Sequence, residues 1–155
     1  MRRSEKEITE FKTIERILDL APACRLGFSG AIEPYIVPMN FAWEKKRDEL
    51  FIYFHCAGLG RKMGLLEKGE RICFQTDIDL QIKRAEKACD WGMGFESIIA
   101  WGHPFPVKES DEKKRTLNLL MRKHDGGDSH DFPAPVLDRT RVFGLKLEDL
   151  TCKKS

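Results

Sequence analysis

The pattern of apolar and polar positions predicts a mostly β chain with a few helices. Apolar residues recur at helical spacing between Ile8 and Leu18 and indicate a first helix, which Pro22 ends. Short apolar runs between glycine, proline or charged clusters predict strands at 23–28, 35–43, 50–54, 71–76, 97–107 and 141–147. Two more helices are predicted at 61–67 and 111–123. Short strands with tight turns favour an antiparallel β-barrel over a parallel α/β sheet.

The most informative segment is 50–63, LFIYFHCAGLGRKM. A buried apolar strand stops at His55 and opens into a turn that contains two glycines, which free the backbone. Arg61 and Lys62 then place adjacent cations at the start of the second predicted helix. Backbone N–H groups at a helix start, together with two cations, favour an anion such as a phosphate. The segment therefore predicts a phosphorylated cofactor at the end of a strand.

Composition narrows the classes of function. A chain of 155 residues is long enough for one domain with a real core and too short for two full ones. Lys and Arg number 27 against 25 Asp and Glu, so a nucleic-acid partner is disfavoured. No apolar run approaches the length of a membrane span, and the segment MRRSEKEITEF lacks the apolar core of a signal peptide. We therefore expect a cytoplasmic protein without a membrane partner.

Five cysteines are widely spaced and form no CxxC pair, so a disulfide framework or a zinc knuckle is disfavoured. Cys24 and Cys73 lie in apolar runs and are expected to be buried thiols. Cys56 has two readings, a thiol activated by the nearby cations or a tightly packed small residue. The segment 124–131, HDGGDSHD, matches neither zinc nor calcium spacing and is predicted to be a polar loop without a metal.

Five segments stand in a characteristic order along the chain, and these are CRLGF, PYIVPMNFAWE, LFIYFHCAGLGRKMGLL, RICFQTD and ESIIAWG. Taken in this order they resemble the flavin-binding split barrels related to pyridoxamine 5′-phosphate oxidase, and among these the nitroimidazole-resistance (Nim-type) proteins most closely. The resemblance runs from about Ile14 to Val107 and is most specific in PYIVPMNF and FHCAGLGRK. It implies a mainly β split barrel with flanking helices, formed by a single domain over 1–155. It also implies a homodimer that holds FMN at its interface.

The resemblance implies nine cofactor-binding positions, which are Val37, Pro38, Met39, Asn40, His55, Ala57, Arg61, Lys62 and Ser97. Arg61 and Lys62 would grip the FMN phosphate, with Ser97 as a hydroxyl donor from the neighbouring strand. The backbone of 37–40 would hydrogen-bond the polar edge of the isoalloxazine ring, where Pro38 gives up one ladder bond. His55 would be the catalytic residue, placed near the ring to donate a proton or to orient a small acid or nitro compound.

The predicted function is that of an FMN-dependent oxidoreductase, similar to a nitroreductase, that acts on a small molecule. Alternatives remain open: a split barrel that binds haem or a deazaflavin, with His55 or His103 as an iron ligand, or a non-catalytic FMN-binding protein. These residues also have purely structural interpretations. Arg61 and Lys62 could be solvated side chains at the start of a helix, and His55 could be a hydrogen-bonded residue at the end of a strand. Three tryptophans are expected in the core or a dimer interface, and these are Trp43, Trp91 and Trp101.

The chain also departs from the pattern of the family it resembles. Gly102-His103-Pro104 stands where relatives tend to carry Gly-Arg-Ala, and a proline there predicts that the strand ends or bulges early. Phe95 replaces a common tyrosine and removes a hydroxyl. The 124–131 loop has a second reading as a cover for the flavin pocket of a partner subunit.

Overall fold

Nine strands and four α-helices are present in the residues described, which are 4–30, 33–127 and 129–155 of the computed structural model. The strands are β1 (Cys24–Phe28), β2 (Tyr35–Met39), β3 (Ala42–Lys46), β4 (Glu49–Ala57), β5 (Ile72–Lys83), β6 (Gly92–Gly102), β7 (Pro104–Val107), β8 (Thr140–Lys146) and β9 (Glu148–Lys154). The helices are α1 (Phe11–Leu20), α2 (Arg61–Glu67), α3 (Ser110–Asp125) and α4 (Ala134–Arg139).

The strands form two antiparallel sheets, as a split barrel requires. The larger sheet has the order β2-β1-β5-β6-β9, and the smaller has the order β3-β4-β8-β7. One cluster of buried side chains joins both sheets to α1 and α2, and a second cluster lies under α3 and α4. The prediction of a mainly β split barrel with flanking helices is confirmed. No helix in the described part of the chain has both the length and the apolar character that crossing a bilayer needs.

Helix α1 starts later than the apolar pattern predicts. Ile8 is buried but precedes the helix, because its N–H donates to the Cys152 carbonyl at 2.9 Å and places this segment beside β9. The helix then buries Ile14, Ile17 and Leu18 against the barrel. Its end before Pro22 is as predicted.

The predicted strand 35–43 is wrong as a single element. β2 pairs with β1 in the larger sheet, whereas β3 pairs with β4 in the smaller one. Asn40 and Phe41 form the crossing between the sheets, and the fully buried Phe41 ring packs edge-on against Phe74 with centroids 5.5 Å apart. Burial of this ring explains why the apolar run continues through a break in the strand.

β4 is longer than the predicted strand 50–54 and includes His55 and Ala57. It pairs on one side with β3 and on the other with β8, up to the pair Ala57↔Thr140. The turn before β4 is tight, since only Arg47 and Asp48 separate β3 from β4 and Arg47 has a positive φ of 57°.

The hairpin of β5 and β6 extends well beyond the predicted strand 71–76. Its outer part, residues 79–93, is exposed throughout and carries the pairs Ile82↔Met93 and Lys83↔Gly92. We call residues 79–93 the arm. The predicted strand 97–107 is wrong as one element, since β6 ends at Gly102 and β7 belongs to the other sheet. The early end predicted from Pro104 is therefore confirmed.

Gly102 marks this change of sheet because nothing larger fits there. A Cβ at this position would lie 2.0 Å from the backbone oxygen of Lys146. The strand therefore needs a glycine at the point where it leaves the larger sheet.

Helices α2 and α3 agree closely with the predictions, whereas α4 and β9 are not predicted. α3 is tied to β3 by Arg115, which donates from two nitrogens to the Glu44 carboxylate, each at 2.8 Å, and also pairs with Glu112. Burial alone would raise the pKa of Glu44, but the hydrogen bonds from Arg115 and Lys46 outweigh it and hold the pKa at about 2.

The thiols and tryptophans follow the predictions in part. Cys24 is fully buried, as expected, whereas Cys73 keeps some exposure on β5. Trp43 and Trp101 are partly buried, and the Trp43 indole donates to Asp19 at 2.7 Å. Trp91 lies on the arm and is 49% exposed, so it is not a core residue of this chain.

Candidate functional site

The loop between β4 and α2 reaches its turn through Gly60. This residue has φ +115° and ψ 169°, a conformation that side chains with a Cβ rarely adopt. Gly58, predicted to free the backbone as well, is not among the glycines with positive φ. α2 has only seven residues, so its aligned peptide dipoles add little positive charge. An anion at this place must therefore be held by the side chains of Arg61 and Lys62.

Arg61 projects from α2 toward the start of β2. Its Nη1 donates to Glu33 Oε1 at 2.9 Å, and its guanidinium lies over the Tyr35 ring, 4.5 Å from the centroid. The Arg61 side chain is 49% exposed and that of Glu33 is 65% exposed. The guanidinium is thus held by an aromatic ring and a carboxylate, with open solvent on its outer side.

Lys62 points to the other end of β2 and to the end of β4. Its Nζ lies 3.5 Å from Met39 Sδ, and no carboxylate lies within 4.0 Å of it in the described ranges. Its charge reaches His55, whose pKa is lowered from 6.5 first by burial of the ring and then by the Lys62 cation. His55 is therefore a neutral imidazole at pH 7 that keeps part of its surface in contact with solvent.

Cys56 faces away from solvent beneath this cation pair. Its Sγ lies 4.0 Å from Met63 Sδ, and the residue is 6% exposed. Burial raises the pKa of the Cys56 thiol and outweighs the lowering by Lys62 and Arg141. The structure therefore favours the packed thiol over the activated one.

β2 supplies a free sheet edge next to the two cations. It is the outermost strand of the larger sheet, so one side of its backbone has no strand partner in the described residues. Met39 is buried, Val37 is partly buried, and Pro38 and Asn40 are exposed. Pro38 lies opposite Arg25 of β1, and a proline is tolerated on an edge strand because its missing N–H can face away from the ladder. Polar groups of a planar ligand could pair with this edge.

Ser97 is the predicted site residue that one chain does not bring to this place. It lies on β6, opposite Asp77 of β5 and Lys153 of β9. β1 and β5 stand between β6 and β2, a distance of roughly 14 Å at the usual strand spacing. The other predicted residues lie on β2, directly after it, at the end of β4 and at the start of α2.

Glu33 and Tyr35 are site residues that sequence reasoning missed. Tyr35 begins an apolar run and looked like an ordinary strand residue, and nothing in the sequence links Glu33 to Arg61, 28 positions away. The only sequence signal is the position of both residues beside Pro34, at the start of the predicted strand 35–43.

The predicted loop 124–131 begins later than expected, since His124 and Asp125 are the last residues of α3. His130, beyond the end of the helix, packs back on α3. The Asn118 side chain accepts from the His130 backbone N–H at 2.7 Å and donates to its carbonyl at 3.2 Å. His130 Nε2 lies 2.9 Å from Asp125 Oδ2. Asp128 lies outside the described residues. No group of three or more His, Cys, Asp or Glu side chains suited to a metal occurs in the part of the chain that the structure describes.

A cleft of about 660 Å³ lies between α2, β7 and β8 and was not predicted. Its walls are mostly apolar side chains of α2, β7 and β8, and Lys108, Lys113 and Arg141 lie at its border. The Lys113 ammonium is already used, because it donates to the Leu137 carbonyl at 2.7 Å and fixes α4. Neither Arg61 nor Lys62 is among the residues that line the cleft.

Fold and site together define a split-barrel protein with a cation pair beside a free sheet edge. A family model described as pyridoxamine 5′-phosphate oxidase matches residues 10–154, so the chain belongs to this family. The family predicted from the sequence is thereby confirmed. A search of curated proteins found no match.

Solved structures with the same fold include flavin-binding and haem-binding proteins. A protein from Bacteroides thetaiotaomicron, provisionally described as a 5-nitroimidazole antibiotic resistance protein, is 25% identical, with a TM-score of 0.82 over 96% of this chain and 86% of that one. The flavocytochrome Anf3 from Azotobacter vinelandii is 21% identical, with a TM-score of 0.84 over 100% and 72%. A FAD and haem binding protein from Mycobacterium smegmatis is 17% identical, with a TM-score of 0.82 over 97% and 73%.

Proposed function

We propose that this chain binds FMN and acts as a homodimeric, FMN-dependent oxidoreductase on a small molecule. The observation that carries the proposal is that cations of α2 meet strand β2: Arg61 lies over β2 at Tyr35, and Lys62 contacts β2 at Met39. The Lys62 charge also acts on His55 at the end of β4. A ligand with an anionic end and a flat polar ring matches cations beside a free strand edge. Membership of the pyridoxamine 5′-phosphate oxidase family supports a flavin as that ligand.

In this proposal Arg61 and Lys62 hold the phosphate, and the 37–40 backbone pairs with the edge of the ring, with Ala57 beside it. Ser97 joins from the second chain, since two strands separate it from β2 within one chain. Bound FMN would supply the electron transfer, while the protein binds and orients. His55 is neutral at pH 7, so its role is to position a small acid or nitro compound by hydrogen bonds or to hand on a proton.

The relative from Bacteroides thetaiotaomicron supports a nitro compound as the substrate class, because its description links it to 5-nitroimidazole resistance at 25% identity. Exposed apolar side chains support the homodimer: Ile36 is 68% exposed and Leu59 is 88% exposed beside the site. A flavin lying there would need a second surface to cover its ring. The five free thiols of the structure fit the reducing cytoplasm that is part of the proposal.

The test is a titration of purified protein with FMN, followed by flavin fluorescence and absorbance. The double variant Arg61→Ala with Lys62→Ala should lose at least tenfold in affinity, since two charge-assisted contacts to the phosphate are removed. Lys68→Ala, a lysine at the other end of α2, is the matched control and should bind like the wild type. Stoichiometric flavin on the double variant would contradict the phosphate assignment.

A haem-binding function is a second candidate, favoured by one contact of His103. Its Nδ1 lies 3.0 Å from the Gly69 carbonyl, which fixes the ring and leaves Nε2 as the free ring nitrogen. A histidine that donates from Nδ1 to a carbonyl is a common form of metal ligand. The visible spectrum after addition of haemin or FMN separates the two candidates, because a Soret band marks haem and paired flavin bands mark FMN. A deazaflavin, or FMN binding without turnover, would appear in the same titrations followed by activity assays.

A further inference from the structure

The two cations of the proposed phosphate site differ in whether a carboxylate lies next to them. Arg61 donates to Glu33 at 2.9 Å, whereas Lys62 has only a thioether contact at 3.5 Å in the described residues. Glu33 therefore already occupies one of the guanidinium nitrogens, Nη1, that a phosphate could use. An anion at this site must either displace the Glu33 carboxylate or share Arg61 with a like charge.

We propose that Glu33 is an internal competitor for the phosphate at Arg61 and makes the bound flavin exchangeable. The inference rests on the proposed function and deepens it, because it concerns the release of the cofactor from the same site. Without a ligand, the carboxylate keeps the guanidinium in place over Tyr35, so the site keeps its shape. With a ligand, the carboxylate is displaced and repels the phosphate, which weakens its binding.

The geometry allows this exchange because both side chains are near the surface. Arg61 is 49% exposed and Glu33 is 65% exposed, so water can solvate the carboxylate when it leaves. An exposed ion pair of this kind adds little stability, so a phosphate dianion can replace it. The Tyr35 ring stays behind the guanidinium in either state and keeps the donor fork facing outward.

The test compares FMN with riboflavin, which has the same ring and no phosphate. Glu33→Gln removes the competing charge at nearly constant volume and should tighten FMN binding about three- to tenfold at low ionic strength. Riboflavin affinity should not change. The gain for FMN should shrink as salt is added, because the charges are near the surface.

Two further variants confirm that the effect acts through Arg61. Glu148→Gln removes the same charge at the exposed start of β9, on the opposite edge of the larger sheet from β2, and should leave FMN affinity unchanged. In a chain that already carries Arg61→Gln, Glu33→Gln should no longer tighten FMN binding. Glu33→Ala serves as a second variant, and circular dichroism confirms the fold of each protein.

The outcomes separate this inference from the proposed function. If Glu33→Gln binds FMN as the wild type does, or more weakly, the competitor role is overturned while the phosphate site stands. If wild-type protein does not prefer FMN over riboflavin, the phosphate site itself is wrong and the proposed function fails with it. Faster release of FMN from the wild type than from Glu33→Gln, measured by stopped-flow dilution, supports exchangeability directly.

Discussion

At the scale of single residues, the environment of each charge decides what the side chain can do. His55 and Lys62 show this most directly, because they share one small region at the end of β4. Burial and the Lys62 cation both lower the pKa of His55, so the ring is neutral at pH 7. A neutral ring can donate one hydrogen bond and accept another, which suits positioning of a small polar substrate.

Lys62→Ala should therefore raise the pKa of His55, because it removes a neighbouring positive charge. NMR titration of the His55 ring resonances measures this without any cofactor or substrate. Lys68→Ala changes the charge equally at the far end of α2 and should leave the titration unmoved. If the His55 pKa is the same in all three proteins, the two side chains do not share the site.

The variant His55→Gln should still bind FMN but should turn over a nitro substrate on the order of a hundredfold more slowly than the wild type. The reason is that an amide without acid–base function replaces the imidazole. In the wild type, turnover that needs the neutral ring should decline only below about pH 6.5, since the pKa is lowered from that value. Steady-state rates from pH 5 to 8 give the profile, with His103→Gln as the control. Unchanged kinetics in His55→Gln would leave the ring a purely structural role.

Lys123 is a second residue whose charge is shaped by burial, away from the proposed site. Its Nζ has no hydrogen-bond partner among the described residues and lies 3.2 Å from the centroid of the Phe41 ring. Burial lowers its pKa from 10.5 to about 8, against smaller opposite effects of Cys24 and Asp19. The folded chain thus binds fewer protons than the unfolded chain between pH 8 and 10.5, and the free energy of unfolding should rise with pH there.

Lys123→Met should abolish this rise while keeping apolar contact with Phe41. We expect the stability of the wild type, relative to Lys123→Met, to increase by on the order of 2 kcal/mol from pH 8 to 10.5. The other titrating groups are common to both proteins and cancel in the difference. Urea unfolding at several pH values checks this, and parallel curves for the two proteins would show that the ammonium is not desolvated.

At the scale of elements, the helices and strands that were predicted correctly are those determined by residues close together in the sequence. β4 and α2 follow from an apolar run, a glycine turn and a helical pattern, and both lie where they were predicted. The break at Phe41 could not be predicted, because it arises from burial of that ring between two sheets. β9 was missed for a similar reason, since its polar sequence becomes a strand by pairing with β6, about 50 positions away.

The residues of the candidate site also divide into those that local sequence identifies and those that only the tertiary structure brings together. Arg61 and Lys62 follow from their place after a glycine turn, whereas Glu33 is invisible in the sequence because its contact spans 28 positions. Ser97 was predicted from the family resemblance, but its distance from β2 depends on the strand order, which no local pattern reveals. Contacts between residues that are distant in the sequence are thus the part of the site that could not be predicted from the sequence.

The turn before α2 gives a prediction at this scale. Gly60→Ala should lower the free energy of unfolding by about 1–3 kcal/mol, because φ +115° strains any residue with a Cβ. Gly58→Ala should change it by less than about 0.5 kcal/mol, since its Cβ would meet Arg141 Nε at an ordinary 3.7 Å. Urea unfolding of both variants makes the comparison. Equal losses in the two would show that the turn does not depend on the Gly60 conformation.

At the scale of the whole molecule, the arm is a part of the structure that exposes several large apolar side chains. Leu80, Ile82, Trp91 and Met93 are between 47% and 61% exposed. Ile82 and Met93 lie directly opposite each other, so their side chains share one face of the two-stranded ribbon. A two-stranded ribbon with an exposed apolar face is marginal in water by itself, and a second chain would cover it in the proposed homodimer.

Ile82→Glu together with Met93→Glu should therefore convert the dimer to a monomer, because two buried charges would face the partner. The control is Gln81→Glu together with Lys83→Gln, which adds the same two negative units on the opposite face of the ribbon and should leave the dimer intact. Sedimentation velocity gives the mass of each protein, and circular dichroism confirms the fold.

Since Ser97 is proposed to reach FMN from the second chain, the monomeric variant should also bind FMN more weakly. A variant that stays dimeric would place the interface elsewhere, and a monomer with undiminished FMN affinity would show that one chain holds the flavin alone.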